Sequence, residues 1–384
     1  MDLLHKATQY IYKPIQGRYV TNEMVFEFLN TLNSNFVISE LGKSVQGKTI
    51  KSVRFGNGDI KIFMWSQMHG NESTTTKGLI DFLNYLNLNK EKANDFKEKY
   101  TLLCIPILNP DGAAMYTRFN ANEIDLNRDA KQQTQPESLI LRDTYLDFKP
   151  DYCFNLHDQR TIFGTDSTGL PATMSFLSPA FNEERTYNNV RMKAVAVINS
   201  VNTKLQQYIP NQVGRFDDSF NDNCIGDYLT TLNIPTVLFE AGHFQNDYNR
   251  EEVRKFVFIS LFVGISSIYE NVVVDNELDE YLKIPQNKSN FRDFIYKNIK
   301  IFDDNSEKLI NFAAQYREVL NDSKIEFTAE ISEVNGLEDF FGHTVIDGKG
   351  FDFDSEFGKK PIIGKKADFS LNKMLKFRNG LQLF

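Results

Sequence analysis

His69 and Glu72 stand three residues apart in the tetrapeptide His69-Gly70-Asn71-Glu72, just after the apolar run Ile62-Phe63-Met64-Trp65. An imidazole and a carboxylate at this spacing can give two ligands to one zinc ion and leave another coordination position open. The same spacing also suits an ordinary hydrogen-bonded pair on a helix face, and so short a motif is weak evidence by itself. Its setting strengthens the metal reading. DIKIFMWSQ reads as a buried strand, and Leu79, Ile80, Phe82, Leu83 and Leu86 then follow helical periodicity. Gly70 allows a tight turn between the two elements. Ligand sites gather outside the carboxyl ends of strands in open α/β sheets.

His157 closes a second strand-like run, DYCFNLH. A histidine there is often a structural hydrogen-bonding residue; at the same sheet edge as His69 it becomes a third ligand. Two imidazoles and one carboxylate make the three-ligand pattern of a catalytic zinc site, one ion per chain. Such an ion lowers the pKa of bound water from about 15.7 toward about 7. Glu240 ends the run IPTVLFE. A carboxylate after so apolar a stretch is unfavourable unless paired or functional. It is the candidate general base; the alternative is a salt bridge to a nearby arginine. Between the second and third ligands, NPDGAAMYTRFNANEIDLNRDA carries Arg118, Asn127 and Arg128. Arginine offers a permanently charged planar fork that matches a carboxylate. One arginine can bind a substrate carboxylate while another stabilises an oxyanion. The bland reading is a loop with ordinary surface charge.

These residues need a frame. Strand-like and helix-like runs alternate from about residue 46 to 272: KTIKSVRF and DIKIFMWSQ, joined by a hairpin-type Gly-Asn-Gly signal, a helix after Glu72, the strand TLLCIPIL, the helix PESLILRDTYLDF, DYCFNLH, TMSFLSP, a helix over about 183–207, NIPTVLFEAGH, and the buried helix EEVRKFVFISLFVGISSIYENV. This order predicts an α/β domain whose mixed, mostly parallel twisted sheet is flanked by helices. Residues 1–45 read as a helical N-terminal lead-in. Residues 273–384 read as a small α+β, β-rich C-terminal domain of unassigned role. It begins with the linker-like VDNELDEYLKIPQNKSN, and NSEKLINFAAQYREVL has helical spacing within it.

A hydrophobic fraction of 41% and a charged fraction of 24% are those of an ordinary globular protein. The formal net charge of -8 argues against a nucleic-acid partner. Cys104, Cys153 and Cys224 are too few and scattered for a disulfide framework. The first residues lack a signal-peptide pattern, and no run of about 18 apolar residues could span a membrane. A cytoplasmic setting is the expectation. His243 and His343 read as structural or exposed rather than as ligands.

Taken in order, H-x-x-E, NPDG, R-x-N, DLNR, the strand-ending histidine and the strand-ending glutamate resemble the zinc carboxypeptidases related to carboxypeptidase A. The resemblance covers roughly residues 45–270. It implies that His69, Glu72 and His157 hold zinc. Arg118 would stabilise the oxyanion, Asn127 and Arg128 would grip the substrate's terminal carboxylate, and Glu240 would be the catalytic glutamate. The implied partner is a peptide or small amide with a free carboxylate. Two departures stand out. The family's substrate-binding tyrosine has no counterpart in VGRFDDSFNDNC, which offers Phe216 and Phe220. Near Ile225-Gly226-Asp227, where the specificity pocket falls, Arg215, Asp217 and Asp218 suggest polar surroundings. Arg160, in HDQRT, is a further candidate for anion binding, with a surface salt bridge as its alternative. HGNE, NLH and EAGHFQND also resemble deacylases of the aspartoacylase and succinylglutamate desuccinylase kind, which remove an acyl group from an amino acid. A peptide-binding module that kept the fold without the chemistry is the remaining alternative.

Overall fold

The computed structural model describes residues 2–166, 168–270, 277–303 and 306–383. The chain forms two units: Met1–Gln159 with Ala172–Asn287, and Arg160–Pro171 with Lys288–Phe384.

The first unit holds helices α1 (Leu3–Gln9), α2 (Asn22–Leu29), α3 (Thr74–Leu88), α4 (Lys90–Lys99), α5 (Pro110–Met115), α6 (Pro136–Phe148), α7 (Asn189–Leu205), α8 (Ile225–Thr231), α9 (Val253–Glu270) and α10 (Glu277–Lys283). Its strands are β1 (Phe36–Lys43), β2 (Thr49–Phe55), β3 (Ile60–Ser66), β4 (Tyr100–Ile105), β5 (Tyr152–Asp158), β7 (Met174–Leu177), β8 (Val213–Arg215) and β9 (Thr236–Ala241). They form one eight-stranded sheet in the order β1-β2-β4-β3-β5-β9-β7-β8. The centre, β4-β3-β5-β9, is parallel. Its strands are apolar at nearly every position because both faces are covered. Ile62, Met64, Leu102, Phe154 and Phe239 pack in one cluster with side chains of α3, α7 and α9. Phe63, Trp65, Ile105 and Cys153 belong to another cluster, with side chains of α6 and α8. The expected mixed, mostly parallel α/β architecture is therefore present.

Local details differ from the sequence reading. Residues 36–43, within the lead-in expected to be helical, form the edge strand β1, antiparallel to β2. The Gly-Asn-Gly segment makes no hairpin: β4 lies between β2 and β3. At Gly56 (φ +81°), a Cβ would come within 2.2 Å of the Tyr100 carbonyl oxygen. That close passage, rather than a tight turn, is what the glycine permits. In the expected linker, residues 271–276 lie outside the described residues, while 277–283 form α10 with Tyr281 fully buried. Among the described residues, no helix is long and apolar enough to cross a membrane.

A buried polar network fastens α3 to α9. Lys77 Nζ lies 2.6 Å from Glu251 Oε1, and Arg254 Nη2 lies 2.7 Å from Asp81 Oδ1. Burial pushes Lys77 down to about 8 and Asp81 up to about 6. The strap between α1 and α2 joins this network. Tyr12 N donates to Asp81 Oδ1 at 2.7 Å, Gly17 N to Glu251 Oε1 at 2.8 Å, and Arg254 Nη1 to the Ile15 carbonyl at 2.7 Å.

The two-residue strands β6 (Gly164–Thr165) and β10 (Asn287–Lys288) lie where the chain passes between units. The second unit then contains β11 (Phe291–Asp303), β12 (Ser306–Asn321), β13 (Lys324–Val334) and β14 (Phe341–Asp347), in the order β13-β12-β11-β14. A smaller sheet holds β15 (Phe353–Asp354), β16 (Phe369–Leu371), β17 (Leu375–Arg378) and β18 (Leu381–Gln382). Phe294, Tyr296, Phe312, Ile331, Phe369 and Phe377 share its core. The expected helix NSEKLINFAAQYREVL is instead the interior strand β12. Leu309, Phe312, Ala313 and Tyr316 are spaced for a helix, but Ile310, Phe312 and Ala314 alternate into the core. Pairing with β11 and β13 on both sides overrides the local preference. Segment 160–171 is tied into this unit: Gln315 Nε2 donates to Thr161 Oγ1 at 2.7 Å, and His343 Nε2 lies 2.8 Å from the Thr161 carbonyl.

Candidate active site

Three neighbouring parallel strands end together. Ser66 of β3 is in register with Leu156 of β5, and His157 of β5 with Glu240 of β9. Residues in register share a face of the sheet, so His157 and Glu240 emerge side by side. Beyond β3 the chain turns sharply through His69-Gly70-Asn71-Glu72 before α3. A Cβ on Gly70 would stand 2.0 Å from the carbonyl carbon of Gly112, so only glycine lets the turn press against α5.

The three candidate ligands converge. His69 Nδ1 is 2.8 Å from Glu72 Oε1, His157 Nδ1 is 2.8 Å from Glu72 Oε2, and the two Nδ1 atoms are 3.1 Å apart. All three side chains are buried. Burial opposes charge on Glu72, yet the two imidazoles hold its carboxyl well below the usual carboxylate range. Two ring nitrogens and a carboxylate, turned inward on one buried point, are the donor set that a zinc ion takes. The residues present therefore fit that ion.

Around them stand further polar and charged residues. Asp125 accepts from His69 Nε2 at 2.9 Å and from Arg118 Nε at 3.0 Å. Burial would raise its pKa, but these contacts hold it well below the ordinary aspartate value. A carboxylate behind a ligand histidine fixes the ring's tautomer and orientation. The sequence reading missed this residue, although it opens the DLNR motif. Asp158, next to His157, caps α3 by accepting from Thr74 N at 2.8 Å and Thr75 N at 3.1 Å. Its own N–H donates to Glu72 Oε2 at 3.1 Å, joining the end of β5 to the ligand carboxylate.

Arg118 reaches the cluster, with Nη1 3.2 Å from Glu72 Oε1 and its side chain still 40% exposed. Asn127 and Arg128 occupy a single 3-10 turn, Leu126–Arg128, directly after Asp125. Asn127 Oδ1 accepts from Ile225 N at 3.0 Å, so it also fixes the start of α8. Arg128 is exposed and donates through Nη1 to the Asn127 carbonyl at 2.7 Å. Glu240 is buried, and its pKa is pushed well above the ordinary glutamate value by desolvation and by repulsion from Glu72 and Asp158.

One named candidate, Arg215, is not brought here. Arg215 is in register with Phe176, which is itself in register with Phe239, on the sheet face opposite Glu240. Its guanidinium lies 5.5 Å from the Tyr281 ring centre, and its N–H donates to the Pro285 carbonyl at 2.8 Å. The single-residue parity of a strand explains the difference. Arg160 begins the second unit. Asp218 is held by Arg191 at 3.0 Å. No tyrosine occupies the segment before α8, and Tyr228 packs against the core cluster beneath it.

Known proteins resemble this chain in sequence and in fold. Residues 23–165 match the family model described as zinc carboxypeptidase. Probable carboxypeptidase 2 of Arthroderma benhamiae is 28% identical over 100 residues, 26% of this chain and 19% of that protein. The match thus spans about a fifth of the length of such curated relatives. A metallo-carboxypeptidase from Burkholderia cenocepacia superposes with a TM-score of 0.52 at 18% identity, covering 66% of this chain and 70% of the other. The carboxypeptidase A of Helicoverpa armigera gives 0.52 at 16% identity over 70% of this chain and 80% of that one. The motif resemblance is therefore matched by a family model, and the fold is that of the carboxypeptidases.

Proposed function

We propose that this chain is a zinc-dependent metallocarboxypeptidase that hydrolyses the C-terminal peptide bond of a substrate with a free carboxylate. The observation that carries the reading is the convergence of His69, Glu72 and His157 at the ends of β3 and β5, with Glu240 in register beside His157. His69 and His157 through Nδ1, and Glu72 through its carboxylate, would hold one zinc ion. Bound there, zinc supplies Lewis acidity and a water whose pKa falls from about 15.7 toward about 7.

The chain's own residues do the rest. Glu240 takes a proton from the attacking water and returns it to the leaving amine, a task suited to a carboxyl whose proton affinity is raised. Arg118 donates to the carbonyl oxygen as negative charge develops on it, and the Asp125 carboxylate orients its guanidinium. Arg128 grips the substrate carboxylate through its planar fork. Asn127 assists: with Oδ1 engaged by Ile225 N, its Nδ2 hydrogens face the remaining task of donation. Gripping the terminal carboxylate there would select the C-terminal peptide bond for cleavage.

The test is a screen of the zinc-loaded protein against free peptides, C-terminally amidated peptides and N-acyl amino acids. Cleavage of free peptides alone is expected. Preference for N-acyl amino acids would assign the site to a deacylase, and peptide binding without turnover would make it a binding module. In the same assay, Arg128→Ala should mainly raise KM for free peptides. An unchanged preference for free over amidated peptide in that variant would remove Arg128 from its role.

A further inference from the structure

We propose that Gln67 is a positioning residue for the metal centre, its side-chain amide clamping the His69–Glu72 turn to the N-terminal strap. The inference rests on the zinc-site reading above. Gln67 follows the last residue of β3 and is fully buried. Its backbone lies at φ +44°, a conformation that suits glycine and is strained for a side chain of this size. Strain of this kind persists only where the surroundings impose it, and it gathers at functional sites.

The surroundings here are specific. Gln67 Nε2 donates to the Gly70 carbonyl at 2.9 Å and to the Val20 carbonyl at 3.1 Å. One amide thereby joins the ligand-bearing turn to the strap. Every carbonyl from residue 66 to 70 accepts a hydrogen bond. Ser66 receives Leu108 N, Gln67 receives Asn109 N, Met68 receives Asn109 Nδ2, His69 receives Glu72 N, and Gly70 receives Gln67 Nε2. The first three tie the turn to the segment leading into α5, and the fourth closes it. Gln67 fastens it on the strap side, where Ser73 Oγ also donates to the Arg18 carbonyl at 2.5 Å. Without that amide, the strap side keeps only the Ser73 hydroxyl, one residue beyond Glu72, and the turn itself loses its direct bond to the strap. Groups that orient ligands in this indirect way typically change metal affinity by 10- to 100-fold when removed.

The test compares the parent with Gln67→Gly and, as a second variant, Gln67→Asn. Both new residues tolerate positive φ, so both should fold. The zinc dissociation constant of the metal-stripped full chain is measured by competition with a chromophoric chelator, beside the melting temperature of the metal-free protein. Gln67→Gly should raise the dissociation constant at least about tenfold at a temperature where the metal-free variant is still folded, the lost side chain and hydrogen bonds lowering its melting temperature moderately. Gln67→Asn, too short to span both carbonyls, should move it in the same direction. A dissociation constant within twofold of the parent overturns the inference. So does a weakening that disappears when binding is measured well below both melting temperatures, which marks a merely structural role. His69→Ala separates the two levels of argument. Parent protein whose zinc binding is insensitive to His69→Ala would sink the site's reading itself.

Discussion

Asp293 in the second unit and Glu240 in the first are both buried carboxylates on β-strands, and their surroundings are opposite. Asp293 Oδ2 accepts from Tyr316 N at 2.7 Å, from Thr161 Oγ1 at 3.4 Å and from Gln315 Nε2. Among the described residues, the Glu240 carboxylate has no hydrogen-bond partner, and two further carboxylates raise its proton affinity. A buried acid surrounded by donors holds structure together. A buried acid left without donors, beside like charges and at a strand end, is poised to accept a proton. The same residue chemistry therefore reads as scaffold in one sheet and as reaction machinery in the other.

The sharpest way to break this comparison is Glu240→Gln. Turnover should fall by about 10²–10⁴, with zinc content and melting temperature kept. Retained turnover would reduce Glu240 to a packing residue. Next comes Asp125→Asn, which should weaken zinc binding by about 10- to 100-fold, read by chelator competition. An unchanged affinity would mean that the His69 hydrogen bond does not orient the ring. Asp293→Ala should act only on stability, lowering it by about 2 kcal/mol by leaving buried donors unpaired, with kcat of the folded protein unaltered. A fall in kcat would make Asp293 more than scaffold.

An effect confined to pH dependence belongs to Asp227, buried near the start of α8, where it accepts from Asn221 N at 2.7 Å. Burial pushes it up to about 7, well above the ordinary aspartate value. A folded-state value above the unfolded one means that stability is fully present below about 4 and is lost as pH rises through about 7. Asp227→Asn removes that loss, so melting curves of variant and parent should converge near pH 4 and separate in the variant's favour by pH 8. Curves that stay parallel would refute the shift.

Much of the frame around the candidate site was legible because it follows from strand ends. The apolar runs before His69, His157 and Glu240 are strands buried on both faces, and such runs announce themselves. What escaped was whatever depends on neighbours. Gly-Asn-Gly carries a turn signal but cannot reveal that β4 inserts beside β2. The spacing in NSEKLINFAAQYREVL fits a helix and an alternating strand alike, and only pairing on both sides decides between them. Arg215 has the right charge and the right neighbourhood in sequence, yet the parity of its strand sends it to the other face. Asp125 looks like one acid in a polar loop until the fold sets it behind His69.

The strap carries a consequence for how the chain reaches its folded state. Ile15 receives its hydrogen bond from Arg254, 239 positions later. Such distant closure must be reached by searching a large loop, and contacts of this separation slow folding. During synthesis, the strap beside the His69–Glu72 turn lacks its Glu251 and Arg254 anchors until the start of α9 has been made. His69 and Glu72 emerge early, but their scaffold is completed late. A nascent or truncated chain that stops before Arg254 therefore presents His69 and Glu72 before the strap beside them is fully fastened, and the candidate site is among the later parts of the fold to be completed.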